Sequence, residues 1–199
     1  MSNKPAGSAS NVIVGPARML VAPIGTTLPT LDGTVDPITW DVAWKEVGYT
    51  DDGTKLSYQP TLKEILVDEE PAPVKRALDT EKATISANCA ESTVQNLNYA
   101  ISASTLTSSA ADTTHAQLAT LDVGGGALNE VMVGLEGLSP AGMQRIIIAY
   151  RAQAQANVQL QFKRGDKTII PVELALLADS TKPAGSNLLK IVDILAPHS

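Results

Sequence analysis

The stretch Lys55-Leu-Ser-Tyr-Gln59, Pro60, Thr61-Leu-Lys-Glu-Ile-Leu-Val-Asp68, Glu69-Glu-Pro-Ala-Pro73 and then Glu81-Lys-Ala-Thr-Ile-Ser-Ala-Asn88 decides the fold class. Its side chains run with a period of two, the signature of β-strands. Over 81–88 the alternation is clean. Lys82, Thr84, Ser86 and Asn88 fall on one face, and Ala83, Ile85, Ala87 and Cys89 on the other. Residues 61–68 differ. Leu62 and Leu66 fall on one face, Ile65 and Val67 on the other, so this strand is expected to be buried on both sides or to meet another chain. Glu64 and Asp68 are expected to share its first face. Pro60 is expected to separate two arms, 55–59 and 61–68, and 69–73 to end the second. Upstream, Thr50-Asp-Asp-Gly53 has turn chemistry, with Gly53 suited to a positive φ.

Outward from this stretch the same period recurs. Strands are predicted over 18–24, 129–135, 144–151, 157–162, 167–177 and 188–195. Arg164-Gly-Asp166 reads as a hairpin turn between two of them, and Pro171 suggests an edge position or a bulge. One helix is signalled over 93–101. Ser92 and Gln95 have capping-box spacing, and Val94, Leu97 and Ile101 form one helical face. Residues 102–126 are rich in Ser, Thr, Ala, Asp and Gly and read as a long exposed loop with at most a weak hairpin. The expected fold is mainly β: a β-sandwich or small barrel with one flanking α-helix. It is expected to form a single domain over 12–199 behind a flexible arm, 1–11.

Composition narrows the function. The chain has 199 residues, 15 Lys+Arg against 21 Asp+Glu, and a net charge of −6. That balance argues against a duplex-DNA binder, which needs a basic face to neutralise phosphates. The acid is concentrated. Between Asp32 and Glu81 twelve acids stand against five bases, a local net charge of −7. Seven aromatics leave an aliphatic core. No unbroken apolar stretch follows the N-terminal arm, and no run approaches the roughly 20 residues a spanning helix needs, so synthesis in a cytoplasm is expected.

A search for chemistry finds none. Cys89 is the one cysteine and continues the apolar side of its strand, as a packed thiol does. His115 and His198 have no partner at metal-ligand spacing. Gly124-Gly-Gly126 neither follows a strand nor opens a helix, so it is no phosphate cradle. Glu69 and Glu70 are adjacent and point apart on a strand, which disfavours paired acid–base work. No catalytic residue, cofactor or metal is expected. Trp40 and Trp44 are the one aromatic pair that could serve a monomeric binding module for a sugar or peptide; the alternative is that they anchor an edge of the core.

The ordered set Trp44-Lys-Glu-Val-Gly-Tyr-Thr-Asp-Asp-Gly53, Leu56-Ser-Tyr58, the acidic strand to Glu70, Ala72-Pro-Val74, the alternating strand 83–89 and the capped helix resembles the major tail (tail tube) proteins of long, non-contractile-tailed bacteriophages. Val158-Gln-Leu-Gln-Phe-Lys-Arg-Gly-Asp166, Leu176-Leu-Ala-Asp179 and Leu188-Leu-Lys-Ile-Val192 extend the likeness to about two-thirds of the chain.

The resemblance implies a structural virion subunit. Such subunits form hexameric rings that stack into a hollow tube, and each lends strands to an inner β-barrel through which the genome passes. It implies contacts with a tape-measure protein and with tip and terminator proteins, assembly in the host cytoplasm, and no membrane. On this view 55–59, 61–68 and 81–89, with 157–162 as a further candidate, line or seal the tube. The lumen or inter-subunit candidates are then Glu64 and Asp68 on one strand face and Lys82, Thr84, Ser86 and Asn88 on another. An acidic lumen would repel DNA phosphates and let the genome slide.

Overall fold

A computed structural model describes residues 8–34 and 37–197. Residues 1–7 of the expected arm, and His198, lie outside the described residues. The strands are β1 (Arg18–Pro23), β2 (Lys45–Glu46), β3 (Thr50–Val67), β4 (Glu70–Cys89), β5 (Ser104–Ser109), β6 (Leu118–Val123), β7 (Glu130–Leu138), β8 (Gln144–Ala154), β9 (Ile170–Leu176) and β10 (Leu189–Asp193). One α-helix, α1 (Val94–Ala100), follows β4. The main sheet is antiparallel in the order β2-β1-β7-β8-β9-β4-β3. It is open, with β2 and β3 at its two ends. One edge of β8 pairs with β7. The other is shared, with β10 along 145–149 and β9 along 152–154. The fold is thus mainly β with one helix, as expected.

The core follows from the alternation. Ala83, Ile85, Ala87 and Cys89 of β4, Ile170, Val172, Leu174 and Leu176 of β9, and Met19 and Val21 of β1 point into one apolar cluster, capped by Tyr99 and Ala100 of α1. The middle strands are buried on their other face too. There Ile38 and Trp40 lie over Ile146, Ile148 and Tyr150, while Trp44 packs with Leu20, Ala22 and Met132. Trp40 and Trp44 meet edge to face, with ring centroids 4.8 Å apart. The indole N–H of Trp40 donates to Glu136 Oε2 (2.7 Å) and that of Trp44 to the Thr27 carbonyl (3.0 Å). Both rings are therefore spent on the core, and the sugar- or peptide-binding surface built on them does not form.

Several local expectations are corrected. Residues 50–67 form one strand, and Pro60 does not divide it. Only Asp68 and Glu69 form the turn, so Pro71 and Pro73 lie within β4. Edge positions tolerate a residue without an N–H, and this part of the sheet has only two strands. Asp52 (φ 61°) and Gly53 (φ 70°) sit at a β-bulge inside β3 and not at a turn between elements. The helix cap is Thr93, whose hydroxyl accepts from the Asn96 N–H (3.1 Å), not Ser92. Glu91, two residues before the cap, accepts from the Tyr49 N–H (2.9 Å). Residues 157–162 are irregular, and their alternation finds no partner strand. The region 102–126 does fold back as a hairpin, β5–β6. Pro171 lies in the part of β9 that extends beyond β8, where one edge is free of a strand partner.

Candidate assembly interface

Strands β3 and β4 leave the body of the sheet as a two-stranded ribbon. β9 pairs with β4 only along Thr84–Cys89, so residues 59–82 have no third strand. Nine residues from Gln59 to Val67 reach about 30 Å. Cross-strand register sorts the side chains into two faces. One face carries Leu56/Ile85, Tyr58/Ala83, Pro60/Glu81, Leu62/Leu78 and Glu64/Arg76. It continues the core side of β4, where Ala83, Ile85 and Ala87 are buried. On the ribbon the same face lies open: Tyr58 and Leu62 are each 51% exposed and Leu78 is 52% exposed. The other face carries Lys55/Ser86, Ser57/Thr84, Gln59/Lys82, Thr61/Thr80, Lys63/Ala77 and Ile65/Lys75.

The apolar face runs into a groove of about 700 Å³ between the ribbon base and β10. Leu56, Tyr58 and Leu78 line one wall and Leu188, Leu189 and Ile191 the other. Glu81 also lines it. The Tyr58 hydroxyl is pushed above its ordinary pKa by partial desolvation and by the charge and hydrogen bond of Glu81. Farther out, Glu64 accepts from Arg76 (2.8 Å to Nη2), an exposed pair that adds little stability on its own. β10 itself is pinned to β8 by two parallel bonds from Arg145 to Asp193, at 2.6 and 2.7 Å.

The six candidate residues do not form one surface. Lys82, Thr84, Ser86 and Asn88 share the polar face, as their alternation implied. Glu64 lies on the opposite, apolar face, and Asp68 is a turn residue rather than a strand neighbour of Glu64. Of the acids in 32–81, Asp51 lies opposite Asn88 and Glu70 opposite Val67 on the face of Lys82–Asn88. A polar hollow of about 450 Å³ on that side is lined by Ser57, Gln59, Lys82, Thr84, Gln155 and Glu173, among others. Lys55, Lys63 and Lys75 of this face were the residues sequence reading passed over. Their common side emerges only once the register, including the bulge at Asp79, is known.

The other chemical candidates are structural. Cys89 is fully buried, and desolvation, then the charge of Glu91, pushes its thiol up to about 11. His115 closes a small turn with Asp112, whose carboxyl is pulled down to about 2 by the N–H and hydroxyl of Thr114 and by His115. Among the described residues no cluster of three His, Cys, Asp or Glu could hold a metal ion, and no helix is long and apolar enough to cross a membrane.

A family model described as Phage tail tube protein matches residues 5–190. No curated protein matches the chain.

Proposed function

Since this chain belongs to the phage tail tube protein family, and is thereby a structural component of a virion tail, we propose that it closes into hexameric rings that stack as a conduit for the genome. The observation that carries this reading is the free β3–β4 ribbon. Two-stranded ribbons are marginal in water unless something covers an apolar face. Here the face of Tyr58, Leu62 and Leu78 extends the core side of the sheet and has no cover within the subunit. A neighbouring copy supplies that cover. The long open edge of β3 would otherwise invite unspecific pairing, and ring closure uses it.

In this arrangement the apolar ribbon face and the groove beside β10 seal subunit to subunit. The polar face, with Lys82, Thr84, Ser86 and Asn88, turns to the bore. Residues 12–199 act as one unit, with the arm 1–11 reserved for neighbours. Tape-measure, tip and terminator proteins are the further partners, and assembly takes place in the host cytoplasm without a membrane. The role is architectural and requires no catalysis or cofactor.

Negative-stain microscopy of the concentrated protein tests the reading. Rings or tubes of uniform width are expected. A protein that stays monomeric at every concentration, and also with its tape-measure and tip proteins present, would overturn it.

A further inference from the structure

The main sheet parts at one place. β9 and β10 follow each other along the same edge of β8, β9 at 152–154 and β10 at 145–149. β9 also joins β4, along Thr84–Cys89, whereas β10 pairs with β8 alone. Among the described residues, the second edge of β10 and the edge of β4 before Thr84 thus have no partner strand. The apolar groove of about 700 Å³ lies between these two strands. Leu56, Tyr58 and Leu78 wall one side, Leu189 and Ile191 the other, and Glu81 is the one charged residue of the lining. Bare strand edges beside an apolar slot suit an extended segment, whose backbone pairs and whose alternate side chains fill the slot. The chain also holds a strand without a sheet. Val12, Ile13 and Val14 are β-branched, and Val12 is extended (φ −86°, ψ 112°). Ile13 and Val14 make no hydrogen bond within the described residues. Val12 is 70% exposed and Val14 85% exposed.

We infer that Val12, Ile13 and Val14 of a second copy fill this groove as an added strand, with Val12 and Val14 turned to the apolar walls. The inference rests on the reading of the chain as a tube subunit, and it names what covers the groove. Reach rules out the same copy's own segment. Gly15 lies against Leu138, which stands opposite Gln144 at the start of β8. The groove lies beyond β10 on the far side of β8, about three strand spacings or 14 Å across. It also lies farther along β8, level with Ile147 to Ala149. Val12, three residues from Gly15, reaches only about 10 Å. Charge disfavours the other exposed aliphatic run, Ile65-Leu-Val67. Asp68, Glu69 and Glu70 follow it directly, and they would come to the rim beside Glu81 as like charges. Residues 8–17 carry no charge, and those before them add Lys4 and no acid, so this arm meets Glu81 without repulsion. Pro16 ends the added strand, because it has no N–H to pair.

Cysteine cross-linking between full-length proteins tests the contact. One protein carries Val12→Cys or Val14→Cys and the other Ile191→Cys. They are mixed under the conditions used for microscopy and oxidised, and mass spectrometry scores the mixed disulfide. The native Cys89 is buried and does not compete. The mixed disulfide is expected at least about tenfold above a control with Leu118→Cys in place of Ile191→Cys, because docking raises the local thiol concentration. Leu118 is likewise an exposed aliphatic residue, on β6. A yield no higher than the control would overturn the inference. So would a disulfide confined to single chains carrying both cysteines, which would assign the groove to its own arm. A higher yield between Leu66→Cys and Ile191→Cys would assign it to the ribbon tip and overturn the inference too. A second measurement needs no cysteine. Val12→Ser with Val14→Ser should leave the melting temperature unchanged, since both side chains are exposed. It should raise the concentration at which assembly begins by about tenfold or more, through the lost apolar burial; an unchanged concentration would count against the inference. Tubes without the disulfide sink the arm contact alone; the disulfide in particles that are not tubes sinks the tube reading alone.

Discussion

The ring of Trp40 fills the space that a side chain at residue 134 would need: a Cβ on Gly134 would fall within van der Waals contact of Trp40 Cη2 and Cζ3, and 3.2 Å from Trp44 Cζ3. The clash is with ring atoms held by packing and by the Trp40–Glu136 hydrogen bond, not with a flexible tip. Gly134→Ala should therefore destabilise by about 1–3 kcal/mol. Thermal unfolding followed by circular dichroism should show the midpoint falling by several degrees. An unchanged midpoint would mean that the indole can shift.

Glu136 gives the fold an acid-sensitive joint. Burial alone would raise its pKa, but hydrogen bonds from Arg18, Gln144 and Trp40 outweigh burial and set it below 4.5. The folded state thus prefers the ionised carboxylate. Its contribution is complete above the ordinary value of 4.5 and is lost as pH falls through the lower folded value. Asp193, held down by Arg145, acts in the same direction. Melting temperature should decline below that pH, and Glu136→Gln should flatten the decline while lowering stability near neutrality. Parallel melting curves for wild type and variant would refute this.

The helix cap separates two neighbouring hydroxyls. Thr93→Ala removes the bond to the Asn96 N–H and should cost about 1 kcal/mol. Ser92→Ala should cost almost nothing. Chemical denaturation of both variants checks the order, and a larger loss at Ser92 would contradict the assignment.

Leu62→Asp with Leu78→Asp places two charges on the exposed apolar ribbon face. The subunit should fold with a melting temperature close to that of the wild type, because neither side chain is in the core. Assembly should fail, since each lost apolar contact is worth about 1–2 kcal/mol and recurs at every interface. Sedimentation of the two proteins decides this; tubes formed by the variant at the wild-type concentration would remove the ribbon from the interface.

Cys89 should react with thiol reagents only on unfolding, because it is buried and its thiolate is disfavoured up to about pH 11. Labelling rates should follow global unfolding as denaturant is raised. Rapid labelling of the native protein would refute this.

Much of this molecule was legible in its residues. The alternation from Ala83 to Cys89 gave both the core side and the polar side of β4 correctly, and the aliphatic strands 144–151 and 167–177 were found within a few residues. Failures came where partners decide. Pro60 suggested a break, but β3 has a paired strand on one side only, so a missing N–H costs little. Residues 157–162 alternate as well as any strand, yet no strand pairs with them. The candidate face was only half readable. Lys82–Asn88 lie on one strand and follow from its period alone. Their alignment with Lys55, Lys63 and Lys75 needs the register across two strands, which the bulge at Asp79 shifts by one residue.

That register has a mechanical meaning. Pairing of β3 with β4 is interrupted at three places, between Asp51 and Thr54 in the body of the sheet, and between Thr61 and Leu62 and Ile65 and Val67 along the ribbon. A slip by one residue would turn Leu62 and Leu78 to the wrong side, so the irregularities act as detents that hold the strands against sliding. The ribbon is in effect a ruler of about 30 Å, graduated in residues. Any stack that seats its tip on a neighbouring copy inherits a spacing set by chain length rather than by the softness of a surface contact. Removing one residue pair from each arm would leave the chemistry intact and shorten the repeat.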